Sequence, residues 1–466
     1  MATKPSGKRS RVPAVDRNRR GKQDPHEREI ELALSPGGFI RDRACFSFVS
    51  DLEETATKIA TLAKTDPARA AALYETFLAG CYEKVEELDD SSGSFGQFVG
   101  ELFCGWIRAR QAARDDPDDT VARLLVWMDN DPYALSYGVE KDAVKAFDKV
   151  GLAAFERRIR KRFEAAVSQR QSAGRAVEAE SACREWSAIL RTIYVAQRNI
   201  AAYLVIAEQT GLTPADCHTV ATLLRGRRKP EDALAWIERG LGIERNAPHE
   251  SMAGDDLARL RRELWTRLGR GDEALEAAWA DFRKHPSKYT YDDLMQFVPK
   301  SERASWHEKA IEAAKGADLH SLFELFLETG ELARLADRVR ESEDAALEAT
   351  SHYATEPVAE KLEKKHPDLA ARLWRAQAMR IVEAKKSKYY HAALSNFERA
   401  KRCFERAGLA AEWEKTVGDV RARHHRKVGF IPGFERLVAG AGHRHQQSFL
   451  ERAKARWSKR QAKGEA

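Results

Sequence analysis

The stretch Thr213–Leu241, TPADCHTVATLLRGRRKPEDALAWIERGL, limits what this chain can fold into, because it spells two helices and the turn between them. Thr213 precedes Pro214 and stands three residues before Asp216, the spacing of an N-cap, a first-turn proline and a capping-box partner. Cys217, Val220, Ala221 and Leu224 then recur at i, i+3, i+4 and i+7 and make one apolar stripe. Gly226 ends that helix, Pro230 opens the next, and Leu234, Ile237 and Leu241 stripe it. Farther along, Ala274-Leu275 repeats Ala233-Leu234 behind the turn Leu268-Gly269-Arg270-Gly271. A hairpin with one apolar face cannot bury it alone, so such units stack. The expected fold is all-α, an α-solenoid of stacked antiparallel helical hairpins, with Val220, Leu224, Leu234, Ile237, Leu275, Leu394 and Phe397 buried between hairpins.

Other hairpins follow the same rules. Phe46, Val49, Leu52 and Ala56 stripe one helix, and Asp66-Pro67 caps another that carries Ala71, Tyr74, Phe77, Leu78 and Cys81. Asp116-Pro117-Asp118-Asp119 opens a helix with Val121, Leu124, Leu125 and Met128 inward, and Asp129–Pro132 ends it. Trp186 to Tyr194, Tyr203 to Ala207, Leu322 to Val339, Leu369 to Ala384, Tyr390 to Phe404 and Trp413 to Val420 continue the pattern. No β-hairpin turn flanked by alternating β-branched residues occurs. The turn Leu88–Gly96 opens the apolar helix Phe98–Ile107; it lacks the GK[ST] ending of a phosphate loop, and Ser94 is expected as an ordinary N-cap.

Charge divides the 466 residues more sharply than hydropathy does. Residues 1–23 hold eight Lys/Arg and one Asp, and 421–466 hold twelve Lys/Arg and three Glu, whereas 83–142 hold fourteen Asp/Glu and six Lys/Arg. The expected organisation is a disordered basic arm over 1–36, a helical region with the acidic block over 37–170, the repeat solenoid over 171–430 and a basic tail over 431–466. In that tail Phe449, Leu450, Ala453 and Trp457 share a helix with Arg452, Lys454, Arg456, Lys459 and Arg460. Such a helix can dock on its own protein, an acidic partner, nucleic acid or a membrane surface. Within the block Asp89, Asp90, Asp115, Asp116, Asp118 and Asp119 concentrate negative charge. They are expected to receive a basic tail.

Composition excludes several classes. Six cysteines, at 45, 81, 104, 183, 217 and 403, form no CxxC or CxC pair and lie mostly on apolar stripes, which favours a reducing cytoplasm over a disulfide framework. There is no apolar signal-peptide core and no run of 18 apolar residues, so a cytoplasmic protein without a transmembrane segment is expected. Catalytic signatures fail one by one. His26-Glu27, His249-Glu250 and His307-Glu308 lack the second histidine of HExxH, and GxSxG and GxGxxG are absent. The run at Asp129 breaks the calcium-loop pattern at Tyr133 and Ala134. His424-His425 and His443-Arg444-His445, with no cysteine or acid cluster beside them, read as surface histidines rather than metal ligands. No catalytic residue, cofactor or metal is expected.

The segments DPARAAALYETFLAGCYEKVEELDDSSGSFGQFVGELFCGWIRAR and DPDDTVARLLVWMDNDPYAL resemble a bacterial family known as a domain of unknown function, over most of residues 37–430. The last repeats, YYHAALSNFERAKRCFERAGLAAEWEKTVGDVRARHHRK, resemble the helical region that follows the zinc finger of bacterial SWIM proteins. The CxC and CxH of that finger are missing, so its metal and nucleic-acid binding do not carry over. What the resemblance implies is a bacterial helical-repeat protein, similar in style to TPR or HEAT arrays, without an assigned activity. A noncatalytic scaffold for a protein partner is the expected function. Two alternatives stand beside it: a nucleic-acid-associated factor acting through the basic tails, and an enzyme with a site in 83–142.

Overall fold

Four helices in this chain begin where a proline follows a capping side chain, and several stop where one residue turns left-handed. The computed structural model describes residues 24–440 except 36, 173–176, 248 and 250. The chain divides between Leu260 and Arg261 into two units, each with its own core. The first comprises α1 (Pro25–Leu34), α2 (Asp42–Leu62), α3 (Pro67–Lys84), α4 (Ser94–Ala112), α5 (Pro117–Asp129), α6 (Val139–Ala146), α7 (Lys149–Ser172), α8 (Val177–Ala196), α9 (Ile200–Thr210), α10 (Pro214–Gly226), α11 (Pro230–Arg245) and the start of α12 (Met252–Arg267). The second continues with α13 (Gly271–Lys284), α14 (Lys288–Phe297), α15 (Arg303–Ala313), α16 (Leu319–Thr329), α17 (Leu332–Glu341), α18 (Asp344–Ala349), α19 (His352–Leu362), α20 (Pro367–Glu383), α21 (Tyr390–Arg406), α22 (Ala410–His424) and α23 (Ile431–Val438). Among the described residues there is no strand, only an isolated parallel bridge between Ile40 and Leu88. The protein is all-α.

Many helices pack on the next and several on the next but one, which is how hairpins stack. In the first unit α4 lies on α6, α6 on α8 and α5 on α7, while α7 pairs with α8 and α10 with α11. The α10–α11 hairpin is as its sequence dictates: Thr213 and Asp216 form a reciprocal capping box and Pro214 occupies the first turn. Close approach is built in by Gly240, where a Cβ would stand 2.6 Å from Leu257 Cδ1 and 2.7 Å from Cys217 Cβ. In the second unit α20 is the central pillar, packed by α17, α18, α19, α21 and α22. Its Leu369, Leu373, Trp374, Met379 and Val382 are all buried.

The turns repeat more strictly than the stripes. After α4, α8, α10, α12, α16 and α21 a residue with positive φ is followed by one whose N–H reaches five residues back. The bonds are Asp115 N to Arg110 O (3.0 Å), Asn199 to Tyr194 (2.8 Å), Lys229 to Leu224 (3.0 Å), Arg270 to Trp265 (2.8 Å), Glu331 to Phe326 (2.9 Å) and Leu409 to Phe404 (2.9 Å). This closure satisfies a helix-end carbonyl and requires a left-handed residue, for which glycine is the ordinary choice. Gly269, Gly330 and Gly408 take it in three of the turns, but Arg114 (φ 61°), Arg198 (φ 53°) and Arg228 (φ 58°) take it in the others.

Several expectations are corrected. Phe46 is 76% exposed, because the continuous stripe of α2 runs through Cys45, Phe48, Val49 and Leu52 instead. Leu275 is only half-buried and packs at the margin of the core, while its neighbour Ala274 is buried. Ser94 is not the N-cap of α4: the Asp90 carboxylate accepts from Phe95 N (3.0 Å) and Gly96 N (2.9 Å) and does the capping. The expected arm 1–36 contains α1, whose start is capped by Asp24 and pinned by Arg69 Nε at 2.6 Å from that carboxylate. The tail expected from 431 begins with α23, whose Phe434 and Leu437 are buried against the second core. Val220, Leu224, Leu234, Ile237, Leu394 and Phe397 are buried as expected.

Candidate interaction surface

The carboxylates of the acidic block have local partners. Asp89 accepts from Ser91 N (3.2 Å), Asp90 caps α4, and Asp116 caps α5 through Asp118 N (3.0 Å). Asp115 and Asp119 lie 3.3 and 2.7 Å from the guanidinium of Arg110, which is nearly buried and also donates from Nε to Thr120 Oγ1 (2.9 Å). Burial works to raise the pKa of Asp119, but hydrogen bonds and charge from Arg123 and Arg110 outweigh it and hold the carboxyl below the usual range. Asp118 pairs with Arg157 (2.7 Å), and Asp129 makes a forked pair with Arg162 (2.7 and 2.7 Å). The helix α7 thus carries cations onto a block that looks uncompensated when read alone. Arg452, Lys454, Arg456, Lys459 and Arg460 lie outside the described residues.

A groove opens between α6, α8, α9 and α10. It holds about 430 Å³ and is lined by Val144, Val195 and Ala196 with Lys141, Thr192 and Thr219 around them. Its deep wall is a closed polar network. Asp216, 3% exposed, accepts from Arg191 Nε (2.9 Å), Tyr203 Oη (2.8 Å) and Thr213 N (3.0 Å), and Arg191 also reaches Thr210 Oγ1 (2.6 Å). Burial first, then the bond to Asp216, pushes the Tyr203 phenol up. The polar groups of this wall are satisfied, so the group left for a ligand is the exposed Lys141 ammonium above an aliphatic floor. In the sequence Asp216 shows only as a capping residue; its pairing with Arg191 joins two hairpins and has no short-range signal.

In the second unit, the sequence places His424 on the surface, but the structure buries it to 1%. The stripe of α22 through Trp413, Val417 and Val420 runs one more turn onto it. Both ring nitrogens are without a hydrogen bond, with Nε2 3.7 Å from Glu383 Oε1. Around it Arg375 bridges Asp344 (3.1 Å), Glu348 (3.2 Å) and Asp419 (3.1 Å), and Arg423 bridges Glu348 and Glu383 (3.1 Å each). His307, from one of the incomplete HExxH matches, is committed to Tyr291 Oη (2.8 Å) and Glu331 Oε1 (3.0 Å). Among the described residues no three His, Cys, Asp or Glu gather where a metal ion could be held, and no helix is long and apolar enough to cross a membrane.

No curated protein matches this chain. Among solved structures it is similar to a "Circular tandem repeat protein with novel repeat topology and enhanced subunit contact surfaces", at 13% identity and a TM-score of 0.20, over 85% of this chain and 95% of that one. A likeness at that score carries no argument about function. The sequence match is decisive where the structural one is not: it runs over residues 35–432, and the chain belongs to the Family of unknown function (DUF6880).

Proposed function

We propose that this protein is a noncatalytic helical-repeat scaffold that binds a segment of a protein partner in the groove between α6, α8, α9 and α10. The observation that carries the reading is the pairing of an aliphatic floor, Val144, Val195 and Ala196, with the free ammonium of Lys141. Stacked hairpins offer such inter-helix grooves, and a groove of this make-up suits an apolar side chain with a carboxylate beside it. Val195 is 36% exposed, on a helix whose Ile189, Leu190 and Ile193 are buried. An enzyme in 83–142 gains no support from the six aspartates named there, because their carboxylates serve as caps, turns and ion pairs.

The reading is tested by affinity capture from the native host with the wild type and with Val195→Glu combined with Lys141→Glu. Both positions are exposed, so the helical circular dichroism should be unchanged. A stoichiometric partner should be retained by the wild type and weakened at least tenfold, about 1.4 kcal/mol, by the variant. Equal retention would remove the groove from consideration.

A further inference from the structure

We propose that the hairpin turns of the first unit form a cationic edge that binds the phosphate backbone of duplex nucleic acid. This stands apart from the groove reading and from the basic tails. The turns after α4, α6, α8 and α10 are neighbours. Gln111 Nε2 donates to Ala146 O (3.0 Å), Gln197 Nε2 to Glu156 Oε2, two turns into α7 (2.8 Å), and the Arg227 guanidinium to Arg198 O. Along this edge stand Arg114, Lys149, Arg198, Arg227, Arg228 and Lys229, all exposed. Of the acids nearby, Asp115 pairs with Arg110 and Asp232 with Lys229 at 3.4 Å, Asp116 and Asp148 cap helices, and Glu231 stands exposed in the first turn of α11.

The backbone supplies the second observation. Arg114, Arg198 and Arg228 occupy the left-handed position that Gly269, Gly330 and Gly408 fill in the equivalent turns. Lys385 takes the same conformation in a turn of the second unit, so four of the five non-glycine residues with positive φ among the described residues are long cations. Glycine would relieve each one, and no carboxylate pairs with these three guanidiniums. Strain kept at three of the six equivalent turns, each time with an arginine, points to a ligand for the cation. Arginine's planar fork matches phosphate oxygens bidentately. The aromatic residue in these turns, Phe147, is buried, so the edge has no ring on which unpaired bases could stack. Val150, at the start of α7, is the large apolar side chain exposed beside it, too little to insert into a lipid surface. A sequence-independent duplex backbone is the polyanion that remains.

The test is fluorescence anisotropy of the full chain with a labelled duplex of about 20 base pairs, titrated at several salt concentrations. It compares the wild type, the triple variant Arg114→Gly/Arg198→Gly/Arg228→Gly and the triple variant with lysine at the same positions. The glycine variant should bind at least tenfold more weakly, with a log K against log salt slope shallower by about 2–3, since each lost phosphate contact removes roughly 0.9. Its denaturation midpoint should rise, and the lysine variant should keep the slope. Unchanged affinity and slope in the glycine variant would place binding elsewhere and overturn the proposal. So would a lowered midpoint, which would make the arginines structural, or binding to phosphatidylserine vesicles without binding to the duplex.

Discussion

At the residue scale, the left-handed arginines give a stability argument free of any ligand. A non-glycine residue at positive φ carries a strain of roughly 1–2 kcal/mol, while glycine loses about 0.5–1 kcal/mol more chain entropy on folding. Arg228→Gly should therefore stabilise the protein by roughly 0.5–1 kcal/mol, and Arg228→Ala, which keeps the Cβ, should not. Urea denaturation checks both, and equal midpoints for the two variants would show that the backbone there is unstrained. His424 supplies a pH dependence of definite sign. Burial, reinforced by Lys427 and Arg423 against Glu383 and Glu348, lowers its pKa from 6.5. Arg372, Arg375, Arg423 and Lys427 already stand near the carboxylates of Asp344, Glu348, Glu383 and Asp419, so a proton on the ring adds a charge with no carboxylate left to itself. The unfolded chain takes up that proton first as the pH falls. Stability is complete above about pH 6.5 and is lost from there down toward the folded value. His424→Phe should flatten this loss between about pH 7.5 and 5.5, read as the difference in denaturation midpoint from wild type; parallel slopes would exonerate His424.

At the element scale, the test of the hairpin is whether its two kinds of glue weigh as their burial implies. Leu234 is 7% exposed within the α10–α11 hairpin, and Leu234→Ala should cost about 2–5 kcal/mol. Leu275 repeats it in sequence but is half-buried at the core margin, so Leu275→Ala should cost less, below about 2 kcal/mol. Asp216→Ala leaves Arg191 and Tyr203 without their partner and should cost about 3–5 kcal/mol. The same denaturation series ranks all three, and a Leu275 variant as damaging as the Leu234 one would mean that the two repeats pack alike. These contrasts also show what a single sequence discloses. Caps and stops such as Thr213, Pro214, Gly330 and Gly408 were legible because they act on the nearest backbone groups. Stripes were legible to within one position: Phe46 looked inward because an aromatic ring near a periodic run is ambiguous until the partner helix is known. Asp90 in place of Ser94, the Arg191–Asp216 pair and the Arg157–Asp118 pair were not legible. Each depends on a loop path or on a contact between hairpins distant in sequence, which spacing does not encode. The groove and the cationic edge fall in the same class, since both are made by stacking.

At the scale of the whole molecule, charge is the property that links segments which packing does not. The block 83–142 has fourteen acids against six bases, net −8, and the ion-paired Arg157, Arg158 and Arg162 of α7 reduce that to −5. The ends, at +7 for residues 1–23 and, from seven Lys/Arg and two Glu, +5 for 441–466, are tethered to it and are repelled by any cationic edge at the turns. Tethering raises their local concentration at the acids. Yet exposed pairs contribute only about 0–1 kcal/mol each and are screened beyond ~8 Å at physiological salt, and the acids must first be shared with α7. Docking of a basic end on the block should therefore be weak and lost at modest salt. Small-angle scattering of the full chain should show a radius of gyration that grows from low to high salt, with the growth abolished on deletion of residues 1–23 together with 441–466. A radius independent of salt, or one whose growth survives the deletion, would mean that α7 already satisfies the block and that the basic ends remain available to an external polyanion.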